Sequence, residues 1–286
     1  MGDPSGSIGD GRLIDAWVAS WPLLAALAAA GLVAGLSAGL FGIGGGAVIV
    51  PVLFLLLSGM GYDGSAMHVA VATSLATIIV TSARSASAHH RKGAVDWAVI
   101  RGWAPWIGLG AAAGMLVAGA VPGDVLTMIF GVMAMLLAAQ LFFGRPTWRL
   151  ADDMPGGFGR AGFGTAVGGL SALMGIGGGT FGVSLMTVCG RTIHQAVATA
   201  AGFGVAIGLP AAIAAIYTGW NVEGRPPGSL GYVSVPAFLL ISVFTVTMAP
   251  VGAALAHRLE AGKLRKAFGV LLALVALRML YSVTSG

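Results

Sequence analysis

The amino-acid sequence predicts an all-α integral membrane protein. We expect two inverted repeats of about five hydrophobic segments each, with short broken or re-entrant helices at two glycine-rich motifs. Of the 286 residues, 57% are hydrophobic and 9% are charged, whereas a soluble domain carries about 25% charged residues. The apolar runs are continuous rather than alternating, which favours helices over a β-barrel. Equivalent blocks of sequence also recur in the two halves in the same order.

Ten apolar segments can be marked along the chain, each ending at glycine, proline or charge. A full helical span needs about 20 residues. Segments two, six and seven fall short of that length, and they are the ones that flank the glycine-rich motifs. The ten segments cover residues 17–41, 46–59, 66–88, 97–120, 125–143, 160–175, 179–190, 195–218, 231–256 and 264–284.

Two glycine-rich hexapeptides are the most distinctive motifs. Residues 41–46 read Phe-Gly-Ile-Gly-Gly-Gly, and residues 174–179 read Met-Gly-Ile-Gly-Gly-Gly. A glycine run that leads into a helix exposes N–H groups at the positive end of the helix dipole, where anions bind. The alternative is that the glycines only allow two helices to cross closely. The candidate substrate-binding residues in the motifs are Gly42, Gly44, Gly45, Gly46, Gly175, Gly177, Gly178 and Gly179.

Three blocks recur in both halves, in the same order. The glycine motif is the first, with Gly42 matching Gly175. His-x-Ala-Val-Ala-Thr occurs at 68–73 and again at 194–199, and Phe-Gly-Val occurs at 130–132 and again at 268–270. We therefore divide the chain into four parts: an extramembrane N-terminal segment 1–16, a first transmembrane repeat 17–144, a cytoplasmic linker 145–159 and a second repeat 160–286.

An odd number of segments in each half inverts the second half relative to the first. Arginine and lysine residues follow segments three, five, seven and nine, and such loops are usually cytoplasmic. We expect these four loops in the cytoplasm and both termini outside. Re-entrant hairpins would give the same parity, so this count does not distinguish re-entrant tips from loops between full spans.

Segment three carries a polar stripe on an otherwise apolar helix. Its members are Thr73, Ser74, Thr77, Thr81 and Arg84. Hydroxyl groups in a membrane helix either bond back to their own helix or line a pathway. We take Thr73, Ser74 and the second-half Thr199 as candidate substrate-binding residues, with Arg84 as a candidate charge partner.

His68 and His194 open the third segment of each half. Histidine titrates near physiological pH, so both are candidates for proton coupling. The alternative is an interfacial or capping role, which is common for a lone histidine near a helix end.

We predict no metal site, cofactor or enzymatic activity. Cys189 is the single cysteine, and no Lys-Ser or Lys-Thr follows the glycines as in a nucleotide-binding loop. No carboxylate lies well inside a segment, which counts against a metal-cation transporter. An intramembrane hydrolase using Ser74 or Ser171 is the weaker alternative, because neither serine lies in a recognisable nucleophile turn. The net charge of +5 comes from cations between apolar stretches, which suits membrane orientation and not nucleic-acid binding.

The glycine motifs and their surroundings resemble the sulfite exporter TauE/SafE family. The similarity rests on residues 38–51, their partial repeat at 171–179, Ala-Val-Ala-Thr-Ser at 70–74 and Gly-Ser-Leu-Gly at 228–231, before segment nine. The second motif departs from the first because Thr-Phe-Gly-Val follows it, without the counterpart of Pro51.

The resemblance implies a multi-pass transporter in the bacterial inner membrane. The substrate class would be a small sulfur-containing anion: sulfite, thiosulfate, a sulfonate or a related organic acid. We expect secondary transport by alternating access, coupled to a proton or sodium ion, and the lipid bilayer as the main partner. Another organic anion or a metal cation is the alternative cargo, and a homo-oligomer is left open.

Overall fold

The computed structural model describes residues 21–143, 151, 153–256 and 261–284. The predicted extramembrane segment 1–16, and residues 145–150 and 152 of the predicted linker, lie outside the described residues. The helices are α1 Trp21–Phe41, α2 Gly46–Gly59, α3 Asp63–His90, α4 Trp97–Ala120, α5 Gly123–Phe143, α6 Gly157–Leu173, α7 Gly179–Val188, α8 Ile193–Thr218, α9 Val235–Leu255 and α10 Ala261–Thr284. A two-stranded antiparallel hairpin, β1 Ser229–Leu230 and β2 Val233–Ser234, precedes α9.

The predicted all-α membrane fold is confirmed. Among the described residues, α1, α3, α4, α5, α8 and α9 are long and apolar enough to cross a membrane. The helices at the glycine motifs are short, as predicted: α2 has 14 residues, α6 has 17 and α7 has 10.

Helix pairing follows the repeat. The helix α1 of the first half packs along α9, and its counterpart α6 packs along α4, the counterpart of α9. Two more major pairs, α3 with α8 and α5 with α10, join a helix to its own repeat partner. In addition, α4 packs on α8 and its counterpart α9 on α3, and α2 packs on α3 and its counterpart α7 on α8. Exchanging the two halves therefore reproduces the same major helix pairs.

The pairing of α3 with α8 is antiparallel, which inverts one half relative to the other. Gly204 of α8 packs on Ser82 of α3, whereas Gly208, one turn later, packs on Leu75, earlier in α3. In contrast, α1 and α9 run parallel, since Gly31 faces Ile241 and Phe244 whereas Gly39 faces Ala249 and Gly252. The inverted repeat expected from the segment count is thus visible in the helix directions.

Small residues form the crossings of the long helices. A Cβ atom built on Gly35 would lie 2.7 Å from the Thr245 carbonyl oxygen, and one on Gly110 would lie 2.0 Å from that of Thr165. The glycines spaced by four in segments one, four and eight therefore serve close helix packing, as their spacing predicts.

The first glycine motif turns the chain back into the middle of the fold. At the C-terminal end of α1 the carbonyl oxygen of Gly39 lies 3.1 Å from Nε2 of His89, near the end of α3. Further along the chain, Gly46 lies beside Ser74, in the middle of α3. From there α2 is only about 21 Å long, less than the roughly 30 Å of a bilayer core, so it begins inside the bundle.

Most predicted boundaries differ from the observed ones by a few residues, and two of the differences have a clear local cause. The sequence predicts that segment nine begins at residue 231, but β1 and β2 occupy 229–234 because Gly231, with φ 57°, forms the turn between them. The sequence also predicts that segment six begins at residue 160, but α6 already begins at Gly157, after Pro155 and an extended Gly156.

Candidate functional site

The two glycine motifs contact each other through their main chains. A Cβ atom on Gly46 would lie 2.1 Å from the carbonyl oxygen of Gly175, and one on Gly179 would lie 2.2 Å from that of Gly42. These two contacts are related by the repeat, since Gly46 corresponds to Gly179 and Gly42 to Gly175. Any side chain at Gly46 or Gly179 would push the motifs apart.

The next pair of equivalent glycines also meets. A Cβ atom on Gly44 would lie 3.3 Å from the Cα atom of Gly177. Gly45 instead packs on the carbonyl of Ala34 in α1, and Gly178 packs on Phe203 of α8. The candidate glycines thus form one buried cluster, which we call the glycine centre: residues 42, 44–46, 175 and 177–179.

Backbone conformation makes glycine necessary at half of these positions. Gly42, Gly44, Gly45 and Gly175 have φ values of 68°, 77°, 84° and 62°. Other residues rarely adopt this left-handed region. The first motif uses three such residues and the second uses one, so the two motifs are not conformational copies.

The glycine centre brings two helix N-termini together. The helix α2 begins at Gly46 and α7 at Gly179. The backbone N–H groups of residues 44–46 and 177–179 have no hydrogen-bond partner within the described part of the chain. Buried N–H groups are nearly always paired, so six unpaired donors in one buried cluster are unusual. Donors of this kind at helix N-termini attract anions.

Ser74 links the middle of α3 to this cluster. Its hydroxyl group donates a 2.7 Å hydrogen bond to the carbonyl oxygen of Gly175. On the next turn, Ile78 packs on Gly44. The Ser74 hydroxyl is therefore placed at the glycine centre but is engaged with a carbonyl, which does not activate it as a nucleophile.

Thr73 and Thr199 lie at the flanks of the glycine centre and not in it. The Thr73 hydroxyl oxygen accepts a 2.9 Å hydrogen bond from the backbone N–H of Ser234. The Thr199 hydroxyl oxygen accepts a 3.0 Å bond from the backbone N–H of Asp96. Each threonine thus holds the start of a helix from the opposite half.

The two other threonines of the polar stripe, Thr77 and Thr81, face protein. The hydroxyl groups of Thr77 and Thr81 donate to the carbonyls of Thr73 and Thr77, each at 2.9 Å. Oγ1 of Thr81 also lies 2.8 Å from Oγ1 of Thr245 in α9. Of the two roles considered for these hydroxyls, bonding back to their own helix is the one observed for Thr77 and Thr81.

The two candidate histidines have different surroundings. His68 is buried, and its Nε2 lies 3.1 Å and 3.0 Å from the carbonyl oxygens of Ala118 and Val121. Two acceptors require that Nε2 carries the hydrogen, and Nδ1 has no hydrogen-bond partner among the described residues. The ring stacks on Tyr232 with centroids 4.9 Å apart. His194 is exposed at the start of α8.

Arg84 is exposed, whereas its neighbours Ser82 and Ser85 are buried. Its guanidinium group is therefore outside the glycine centre. Among the described residues, no cluster of three or more His, Cys, Asp or Glu side chains could hold a metal ion.

Asp96 and Ser234 were missed as interacting residues in the sequence, although a signal was present. Their separation along the chain is the same as that between Phe130 and Phe268, which open the two Phe-Gly-Val blocks. Both precede a helix and have extended backbones, with φ and ψ of −89° and 93° for Asp96 and −72° and 106° for Ser234. Because one residue is an aspartate and the other a serine, a search for identical residues in the two repeats does not detect that they are equivalent.

Comparison with known proteins identifies a family of membrane proteins and two similar membrane transporters. Residues 27–279 match the family model described as Sulfite exporter TauE/SafE. A "Probable membrane transporter protein" of Haemophilus influenzae is 34% identical over 247 residues, covering 85% of this chain and 92% of the relative. A "Probable membrane transporter protein" of Methanocaldococcus jannaschii is 26% identical over 262 residues, covering 90% of this chain and 96% of the relative. No solved structure matches the chain significantly.

Proposed function

The chain belongs to the sulfite exporter TauE/SafE family of membrane transporters, and on that premise we propose that it carries a small sulfur-containing anion by secondary, alternating-access transport. The substrate class comprises sulfite, thiosulfate, sulfonates and related organic acids. The cell membrane is the site of action, which in a bacterium is the inner membrane.

The observation that carries this proposal is the meeting of two helix N-termini at the glycine centre. Each N-terminus contributes about half a positive charge, and the six N–H groups of residues 44–46 and 177–179 have no partner among the described residues. Together they would hold an oxyanion without a full positive charge, as broken helices do for anionic substrates in other inverted-repeat transporters.

The location of these donors also supports a transport role. Gly44 packs on Ile78 and Gly178 on Ile207, and both isoleucines lie near the middle of the long helices α3 and α8. A site at this depth is about equally far from both ends of the bundle. An anion bound there can be released to either side when one end of the bundle opens.

The chemistry of the surrounding residues favours a small cargo. The glycines are enclosed by Ile78, Phe203 and their own main chains, and Ser74 donates its hydroxyl hydrogen to one of them. A compact oxyanion presents several acceptor oxygens to a set of N–H donors, while a large organic tail would have to displace packed apolar side chains.

We propose that His68 is the residue that couples transport to proton movement. Its Nε2–H is fixed by the carbonyls of Ala118 and Val121, so Nδ1 is the atom that would take up a proton. His194 is exposed and would exchange protons at the opposite surface.

The test is flux of radiolabelled sulfite into proteoliposomes that contain the purified full-length protein. Thiosulfate and taurine serve as competitors, and zinc ions and acetate serve as controls for the alternative cargoes. We expect sulfite flux that thiosulfate or taurine inhibits and that Gly178→Val abolishes while the protein remains folded. Flux of zinc or acetate without any flux of a sulfur oxyanion or sulfonate would overturn the substrate assignment.

A further inference from the structure

We propose that Thr73 and Thr199 are a matched pair of gate latches, one on each side of the glycine centre. This inference rests on the proposed alternating-access function, because a gate has a role only if the site is exposed to the two sides in turn. Each latch consists of one threonine hydroxyl and the backbone N–H whose hydrogen bond it accepts.

The two latches are related by the repeat at both of their ends. Thr73 and Thr199 are the last residues of the two His-x-Ala-Val-Ala-Thr blocks. Asp96 and Ser234 are separated along the chain by the same distance as the two Phe-Gly-Val blocks. The same hydrogen bond is therefore formed at equivalent positions of both repeats. A chance contact would not be expected to recur in this way, so the pair belongs to the repeat architecture.

Each latch joins a helix of one half to a helix start of the other half. Thr73 in α3 holds Ser234, the residue before α9, and Thr199 in α8 holds Asp96, the residue before α4. Each therefore connects the two halves, and in inverted-repeat transporters alternating access largely moves one repeat or bundle against the other. Both are formed in this structure, and the glycine centre is buried, as expected for a state closed at both ends.

The latches lie on opposite sides of the bundle. Because α3 and α8 are antiparallel, Thr73 and Thr199, each in the first half of its helix, lie on opposite sides of the middle of the bundle. Ser234 and Thr73 are on the side of the β1–β2 hairpin, which we expect outside. Asp96 and Thr199 are on the side of the loop after α3, which we expect in the cytoplasm.

The threonine oxygen is suited to hold a helix start reversibly. A helix N-terminus leaves N–H groups without intrahelical partners, and a neutral hydrogen bond in a protein adds only a modest net stability. Losing one such bond changes the ratio of closed to open states by about three- to tenfold. That is sufficient to shift a balanced gate without unfolding the protein.

The two latches differ in their reinforcement. The Asp96 carboxylate also accepts hydrogen bonds from the N–H groups of Ala98 and Val99, both at 3.1 Å, and lies 3.8 Å from Arg191. The Ser234 hydroxyl is buried without a partner among the described residues. The Thr73 latch is therefore the weaker of the two, and the outer gate should open more readily.

The test uses two buried reporter positions on a Cys189→Ser background. Val233→Cys adjoins the Thr73 latch and Val99→Cys adjoins the Thr199 latch; the valines are 6% and 8% exposed. Labelling by a maleimide is measured for the full-length protein in liposomes, without substrate. Thr73→Val should raise labelling at residue 233 by about three- to tenfold and leave residue 99 unchanged. Thr199→Val should raise labelling at residue 99 and leave residue 233 unchanged.

Two controls keep this test decisive. Thr73→Ser and Thr199→Ser retain the hydroxyl group and should label like the parent protein. Ser234→Pro removes the N–H donor at a φ of −72° that proline accepts, and should reproduce Thr73→Val even if that variant folds poorly.

Equal labelling of both reporters in both valine variants, or no change in either, would overturn the latch proposal. The expected labelling pattern in a protein that carries no sulfur anion would leave the latches standing and remove the proposed substrate. The two failures are therefore distinguishable.

Discussion

Replacing Gly46 or Gly179 with alanine tests whether the contact between the two motifs is the functional centre. Neither glycine has a positive φ, so alanine meets no backbone strain and the effect comes from the added methyl group alone. That methyl would lie 2.1 Å from the Gly175 oxygen or 2.2 Å from the Gly42 oxygen. The motifs must move apart until these atoms reach an ordinary contact distance, which begins at 3.4 Å.

The magnitude follows from overpacking in a closed core. An extra methyl group in a well-packed site typically costs about 1–3 kcal/mol, which corresponds to a change of roughly five- to hundredfold in an equilibrium constant. We expect a change of that size in the unfolding equilibrium of both variants. We also expect them to bind sulfite more weakly and to transport it more slowly, because the two sets of N–H donors no longer converge. The loss should be similar in the two variants, because their contacts are related by the repeat.

The assay pairs sulfite flux in proteoliposomes with thermal unfolding in detergent. Gly162→Ala is the matched control: it lies inside α6, and its added methyl would meet nothing within 4 Å. This control should transport normally and gain slightly in stability, since alanine favours helix over glycine by about 0.5–1 kcal/mol. Wild-type binding and flux in both Gly46→Ala and Gly179→Ala would refute the glycine centre as the substrate site.

Three further predictions follow from the surroundings of the site. Burial raises the pKa of the Tyr232 phenol in the folded protein, and the nearby Arg225 partly opposes this rise. The neutral phenol therefore stabilises the fold fully below pH 10, and this stabilisation is lost as the pH rises through the higher folded-state pKa. The free energy of unfolding of Tyr232→Phe should therefore fall less than that of the parent as the pH rises above 10. An equal fall in the two proteins would contradict this. Asp96→Ala removes the cap of α4 and should lower the free energy of unfolding by about 1–2 kcal/mol, measured by thermal unfolding; a loss below about 0.3 kcal/mol would count against the cap. On a Cys189→Ser background, Arg91→Cys should react with an impermeant maleimide from the cytoplasmic side and Glu223→Cys from the outside, and labelling of both from one side would exclude the proposed topology.

Much of the fold could be predicted because membrane segments are encoded locally. Continuous apolar runs give helices, and the duplicated glycine motif and its flanking blocks give the repeat. The segment ends are less certain from sequence: the turn at Gly231 forms a hairpin from residues that resemble the start of segment nine.

The clustering of the candidate site's main chain could be predicted better than the contacts of its side chains. The glycine-rich motifs stand out in the sequence because their pattern reflects a requirement of the backbone. The partner of Thr73, in contrast, is an N–H group 161 residues away, and every residue except proline offers such a group. His68 and His194 occupy equivalent sequence positions but differ in burial, because the carbonyls of Ala118 and Val121 cover only the first of them.

A centre made of main-chain donors has a consequence for how such a protein can evolve. Every amino acid except proline carries the same N–H group, so mutation of the glycines can damage the donors but cannot offer them a new chemistry. A change of cargo must instead arise in the enclosing side chains, of which Ile78, Phe203 and Ser74 touch the glycines directly. Under the proposed function, diversity of substrates should therefore be found in that enclosing layer, around main-chain donors that stay the same.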